Sequence, residues 1–252
     1  MPVSCRSQTG KKSMTNVDES EIYLISAGQC FNFRCDPAVS CFNACCGDLN
    51  QYLSPYDVMR LKKALNVNSS VFLETWTNRH DGPRSGLPVV SLRPQAGPDL
   101  KCPFVTPEGC GVYVHRPASC RMYPVMRMAA RDRVTGHIRE SYHLICEPHC
   151  RGFATDRKLT LDRWIDEQGL HPYNAANDAF LDVISAKRQK HPDVLEKHNA
   201  DSIYTVLYDS DTFMADSGKH LFKDNAGFSS DQTDVSDQAY LSVAYKYVID
   251  CF

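Results

Sequence analysis

Phe31-Asn-Phe-Arg-Cys35-Asp-Pro-Ala-Val-Ser-Cys41-Phe-Asn-Ala-Cys45-Cys46 places four thiols within twelve residues, two of them adjacent. Thiolates select soft or borderline metals, chiefly zinc and the iron of iron–sulfur clusters, so the stretch reads as a metal site. The gaps between these cysteines, five residues, three and none, match neither a pair of CxxC knuckles nor a bacterial ferredoxin run. Spacing therefore leaves the metal open. Adjacent side chains of an extended segment point to opposite sides, so Cys45 and Cys46 are expected to serve two centres, or one centre with several metal atoms.

A second array lies downstream, in Cys102-Pro-Phe-Val-Thr-Pro-Glu-Gly-Cys110-Gly-Val-Tyr-Val-His-Arg-Pro-Ala-Ser-Cys120-Arg-Met-Tyr-Pro and Cys146-Glu-Pro-His-Cys150. Gly109 and Gly111 flank Cys110, as expected where backbone approaches a metal closely. His115 and His149 sit beside the array, as replacement ligands or as hydrogen-bond donors behind the ligands. Arg116 and Arg121 are candidates to hydrogen-bond cluster sulfurs or an anionic ligand, with pairing to carboxylates as the alternative. Tyr113 and Tyr123 are expected to pack over the metal core and restrict solvent.

Composition narrows the partners. The 252 residues are 42% hydrophobic and 23% charged with a formal net charge of -2, which gives no basic surface for nucleic acid. The first 20 residues hold no apolar run of a secretory signal, and no stretch of about 18 apolar residues is present to span a bilayer. A cytoplasmic protein with no membrane or nucleic-acid partner is expected, and in a reducing compartment twelve cysteines favour metal ligation over structural disulfides.

Along the chain, residues 1–20 read as a disordered polar arm containing Cys5, and Glu21 to Gly28 as a short strand or helical turn. Ser54-Pro55-Tyr56-Asp57 starts a helix, with Ser54 as N-cap and Val58, Leu61 and Leu65 on one face. A second helix starts at Ser69 or Ser70, and Leu87 to Leu92 make one strand within a loop. Residues 123–130 and 137–145 pair around Asp132 to Gly136. Thr160 caps a helix bearing Leu161, Trp164 and Ile165; two more are expected over about 173–190 and 236–250, and the Asp- and Ser-rich stretch 209–234 reads as solvated surface.

These motifs together resemble the YkgJ-type cysteine-cluster family of CxxCxxCC proteins, described as zinc- or iron-chelating. The resemblance rests on the four-cysteine run, Cys102-Pro-Phe, Gly109-Cys110-Gly-Val-Tyr, Arg116-Pro117-x-x-Cys120-Arg121-x-Tyr-Pro and Cys150-x-Gly152-Phe153. It extends over Pro55-Tyr-Asp-Val, Trp164-x-x-x-Gln168-Gly and Tyr208-Asp-x-Asp-x-Phe213, and departs from the shorter form in its wider first gaps. It implies Cys35, Cys41, Cys45, Cys46, Cys102, Cys110, Cys120 and Cys150 as metal ligands, enough for two four-cysteine sites. Cys5, Cys30, Cys146 and Cys251 fall outside the motif and are expected as free or packed thiols.

The expected fold is α+β, mostly helical, with one domain over 21–252: a metal-stapled, irregular cysteine-rich half (28–153) with short β strands, and a helical half (154–252). The expected function is a protein with one or two iron–sulfur clusters (4Fe-4S) for electron transfer, or as cofactor of an oxidoreductase or modifying enzyme, working with a protein redox partner or protein substrate. A structural zinc protein acting as an adaptor is the alternative. Similarity of some family relatives to flagellin lysine methylases implies a third reading, although no nucleotide or methyl-donor motif is present.

Overall fold

In the computed structural model, residues 20–82, 85–132, 134–218 and 236–252 are described. The polar arm except Ser20, with its Cys5, and the 209–234 stretch beyond residue 218 lie outside them. The fold is mixed α+β, with 44% of residues in helices and 20% in strands of small sheets. The chain forms two compact units: one from 1–49, 95–113 and 118–172, the other from 50–94, 114–117 and 173–252.

The first unit is built on antiparallel pairs. β1 (Glu21–Ile25) and β8 (Val125–Arg131) flank β9 (Ile138–Cys146), with Val125 opposite Leu144 and Ile25 opposite Tyr142. This is the hairpin expected around Asp132 to Gly136. A two-stranded ribbon pairs β2 (Cys30–Asn32) with β10 (Lys158–Thr160), Phe31 opposite Leu159. Thr160 then caps α4 (Leu161–Glu167) through its hydroxyl, which accepts the Arg163 N–H. These elements bury Phe31, Phe33, Leu144, Leu159, Trp164 and Leu170 as one cluster. The indole N–H of Trp164 is satisfied on the Met122 carbonyl at 2.9 Å.

The second unit carries the larger share of helix. Ser54 and Asp57 form a reciprocal capping box on α1 (Pro55–Leu65), and Asn68 caps α2 (Ser69–Trp76), one residue before the expected start. The strand β5 (Pro88–Leu92) pairs on one side with β3 (Tyr52–Leu53) and on the other with β4 (Thr77–Asp81). α5 (His171–Lys190) bridges into this unit, followed by α6 (Lys197–Tyr208), α7 (Ser210–Phe213) and α8 (Asp237–Asp250).

The charges at 209–211 are not the solvated surface expected. The Lys62 ammonium, nearly sequestered, meets Asp211 at 2.6 Å and Ser210 at 3.0 Å. The same Asp211 accepts the Ser69 N–H at 2.6 Å, and Asp209 accepts the Ser69 hydroxyl at 2.5 Å. Those carboxylates thus satisfy donors at the N-terminus of α2, where the helix dipole favours negative charge. Buried Asp237 is held by Arg60 at 3.3 Å and Lys63 at 2.6 Å.

Candidate metal centre

All eight cysteines of the motif belong to the first unit. Two local devices bring the arrays together. Asn43 takes a left-handed conformation (φ 68°), which an Asn accepts at low cost, and starts the 3-10 turn Ala44–Cys46. Its side-chain amide donates to the Thr106 carbonyl at 3.0 Å. Past the turn, the backbone of 46–49 runs along that of 99–102: Cys102 N–H donates to Cys46 O at 2.7 Å and Asp48 N–H to Asp99 O at 2.8 Å. The short ribbon of β6 (Val105–Thr106) and β7 (Gly109–Cys110) then folds Cys110 back toward Cys102, and α3 (Ala118–Met122) presents Cys120.

At the other end of the array, Cys150 is returned to Cys35 by backbone. Arg34 N–H donates to Gly152 O at 3.1 Å, and Arg151 N–H donates to Cys41 Sγ at 3.1 Å. Gly152 has no room for a side chain, because a Cβ there would lie 2.6 Å from the Phe33 ring and 2.7 Å from the Arg34 carbonyl. Gly109, with φ 132°, lies against the Phe42 ring, and Gly111 lies against the Phe104 carbonyl.

The sulfurs act on one another in two sets. Burial, followed by the charges of Cys45, Cys41, Cys150 and Asp36, pushes Cys35 up to about 11. The Cys46 thiol, which donates to Cys45, is raised by that bond, by burial and by Cys45, Cys102 and Cys120. Burial raises Cys102 against the Phe104 N–H, and Cys110 adds to the rise. One set is therefore Cys35, Cys41, Cys45 and Cys150; the other is Cys46, Cys102, Cys110 and Cys120. Cys45, lowered by the Cys46 thiol although burial opposes it, also adds to the rise of Cys102 and so stands where the sets meet.

The first set borders a single cleft, completed by Phe33, Arg34, Tyr123, His149 and Gly152. Cys35, Cys45 and Cys120 are exposed and the other five are partly buried. Backbone amides already serve several sulfurs: Arg151 on Cys41, Phe104 and Val105 on Cys102, Gly152 on Cys150. Such donors stabilise a thiolate over a thiol. Among the described residues no three Cys, His, Asp or Glu side chains stand ready around one metal ion. In donor type and number the two sets fit thiophilic metal; the coordination shell itself is not preformed.

The remaining candidates separate. Tyr123 and His149 line the cleft, whereas Tyr113 is 55% exposed in the turn Tyr113–His115. Arg121 donates to the Gln168 carbonyl at 2.7 Å, serving the C-terminal end of α4. Arg116 and His115 lie in the short 114–117 segment counted with the second unit, where the His115 ring meets Arg60 at 3.0 Å. Cys146, expected as a free or packed thiol, is buried at the end of β9 but is disulfide-bonded rather than free. Cys30 and Cys251 are free. Sequence reasoning passed over Phe33, Arg34 and Gly152, although Gly152 stood in the Cys150-x-Gly-Phe motif.

Comparison with known families supports metal binding in general. A family model described as "CxxCxxCC: Putative zinc- or iron-chelating domain" matches residues 34–151. Over residues 34–151 the chain is similar to this family. All eight cysteines of the two sets fall within it. No curated protein and no solved structure matches the chain. Among the described residues no helix is long and apolar enough to cross a membrane.

Proposed function

We propose that this chain is a metal-binding protein with two four-thiolate centres, one on Cys35, Cys41, Cys45 and Cys150 and one on Cys46, Cys102, Cys110 and Cys120. The observation that supports the reading is the cleft lined by Cys35, Cys41, Cys45 and Cys150, next to which the backbone joins Cys102 to Cys46 and the β6–β7 ribbon folds Cys110 back. The chain's own part is to converge the donors from two arrays and to supply amide N–H groups that favour the thiolate form.

Iron–sulfur is the preferred occupant. The ligand loops are wide and irregular, whereas zinc draws more often on close knuckles or histidine. An iron–sulfur cluster held there supplies one-electron chemistry, for electron transfer or as cofactor of an oxidoreductase or a protein-modifying enzyme. A second reading, zinc in a structural or adaptor role, has its own support in His149, an imidazole at the edge of the first set.

Metal analysis with a visible spectrum on anaerobically purified protein tests both. Brown protein with sulfur-to-iron bands is the expected result. Colourless protein with stoichiometric zinc overturns the iron assignment, and protein that takes up neither metal overturns the proposal.

A further inference from the structure

Tyr123 is the one polar side chain of the cleft whose hydroxyl is shut off from solvent without a hydrogen bond of good geometry. The groups it faces are the Cys150 thiol and the Glu147 carboxylate. Its ring cannot easily swing the hydroxyl to water. It packs edge-on against Phe33, with centroids 6.1 Å apart, and Phe33 is fixed in turn by Trp164 at 5.4 Å and Phe153 at 5.2 Å. Gly152 closes the other side of Phe33 without a side chain.

A buried hydroxyl left without a partner is costly, and a neutral thiol is a poor acceptor. A metal-bound thiolate is a good one, because hydrogen bonds to an ionised acceptor are the strong class. We infer that Tyr123 is a positioning residue of the first centre, whose hydroxyl donates to Cys150 Sγ when that sulfur ligates metal. The inference rests on the two-centre reading above and adds a difference between the centres. The first has a side-chain donor, held in place by an aromatic stack, that acts on one of its ligands. Groups that act on metal ligands in this way typically change affinity by about 10- to 100-fold.

The test compares wild type, Tyr123→Phe and Tyr113→Phe, the last as an exposed control. Metal is loaded in each, the metal retained against a competing chelator is measured, and melting is followed with and without metal. Tyr123→Phe is expected to melt no lower than wild type without metal, since it removes only an unmet hydroxyl. In the loaded protein it is expected to give up metal at about tenfold lower chelator concentration, with Tyr113→Phe unchanged. An equal loss of melting temperature in both states, with unaltered chelator competition, means a purely structural tyrosine and overturns the inference. Equal loss of metal in Glu147→Gln and Tyr123→Phe assigns the hydroxyl to Glu147 and overturns it as well. Wild type that binds no metal refutes the two-centre reading itself, which is a distinguishable failure.

Discussion

The two units of this chain solve the problem of stability with different chemistry. In the second unit, buried charges are neutralised inside the fold: Lys62 by Asp211 and Asp237 by Arg60 and Lys63, while the Ser69 N–H at the start of α2 donates to the Asp211 carboxylate. In the first unit, one aromatic-rich cluster around Phe33 and Trp164 stands beside eight thiols, of which Cys35, Cys46, Cys102 and Cys150 are pushed up by burial and by neighbouring sulfurs. The difference teaches that the described buried charges of the second unit find partners within it, while the first unit gathers thiols of the kind a thiophilic metal takes.

The contrast can be broken most severely at the thiols. Cys41→Ser and Cys110→Ser are each expected to lose metal and to destabilise the first unit by at least about 3 kcal/mol, because ligation free energy is part of folding free energy. Cys251→Ser, at an exposed free thiol, is expected to do neither. Metal content together with calorimetry on the three variants reads this directly. Full metal retention and unchanged melting in the first two would remove them from the ligand set.

A change of comparable kind in the second unit is expected to leave metal untouched. Asp237 has 4% of its side chain exposed and faces two cations, of which Lys63 reaches solvent and Arg60 also meets the His115 ring. Asp237→Ala is therefore expected to cost about 2 kcal/mol by denaturant unfolding, with metal content equal to wild type. Loss of metal in this variant would mean that the units do not divide the labour as described.

Acid probes the same unit more gently. Burial pulls the Asp211 carboxyl up, but the Lys62 ammonium and the Ser69 N–H outweigh it and hold it below the usual carboxylate range. A depressed folded-state pKa contributes stability that is present above the unfolded value of about 3.9 and is lost as pH falls through the folded one. Unfolding of wild type followed from pH 6 downward is expected to weaken below roughly pH 4, and Asp211→Asn is expected to flatten that limb. An identical acid limb in the variant would contradict this role. The smallest effect is expected at the capping box of α1, where Ser54→Ala costs about 1 kcal/mol.

Much of this was legible in the chain where the signal is local. Ser54-Pro55 and Thr160 announce their helices because caps are set by nearest neighbours, and the 125–146 hairpin pairs around the Asp132 to Gly136 turn. α6 was missed although Ala200, Ile203, Val206 and Leu207 carry a buried face; its N-cap position is Glu196, which makes no side-chain capping bond to mark the start. The charges at Asp209 and Asp211 were misread because their partners, Lys62 and Ser69, are more than 130 residues away. The same limit applied at the candidate site. The adjacent pair Cys45 and Cys46 suggested a junction from local geometry alone. The surroundings of Tyr123 and the true contacts of Arg121 depend on Phe33, Gly152 and Gln168, which no spacing rule connects to them.

The central claim, two centres sharing one adjacent cysteine pair, is tested most directly by counting metal atoms per chain in wild type, Cys41→Ser and Cys110→Ser by mass spectrometry under non-denaturing, anaerobic conditions. Two centres predict that each variant keeps about half of the wild-type metal, Cys41→Ser losing the first centre and Cys110→Ser the second. Wild-type content in both variants, or a wild-type chain that carries no metal after loading, would contradict the account.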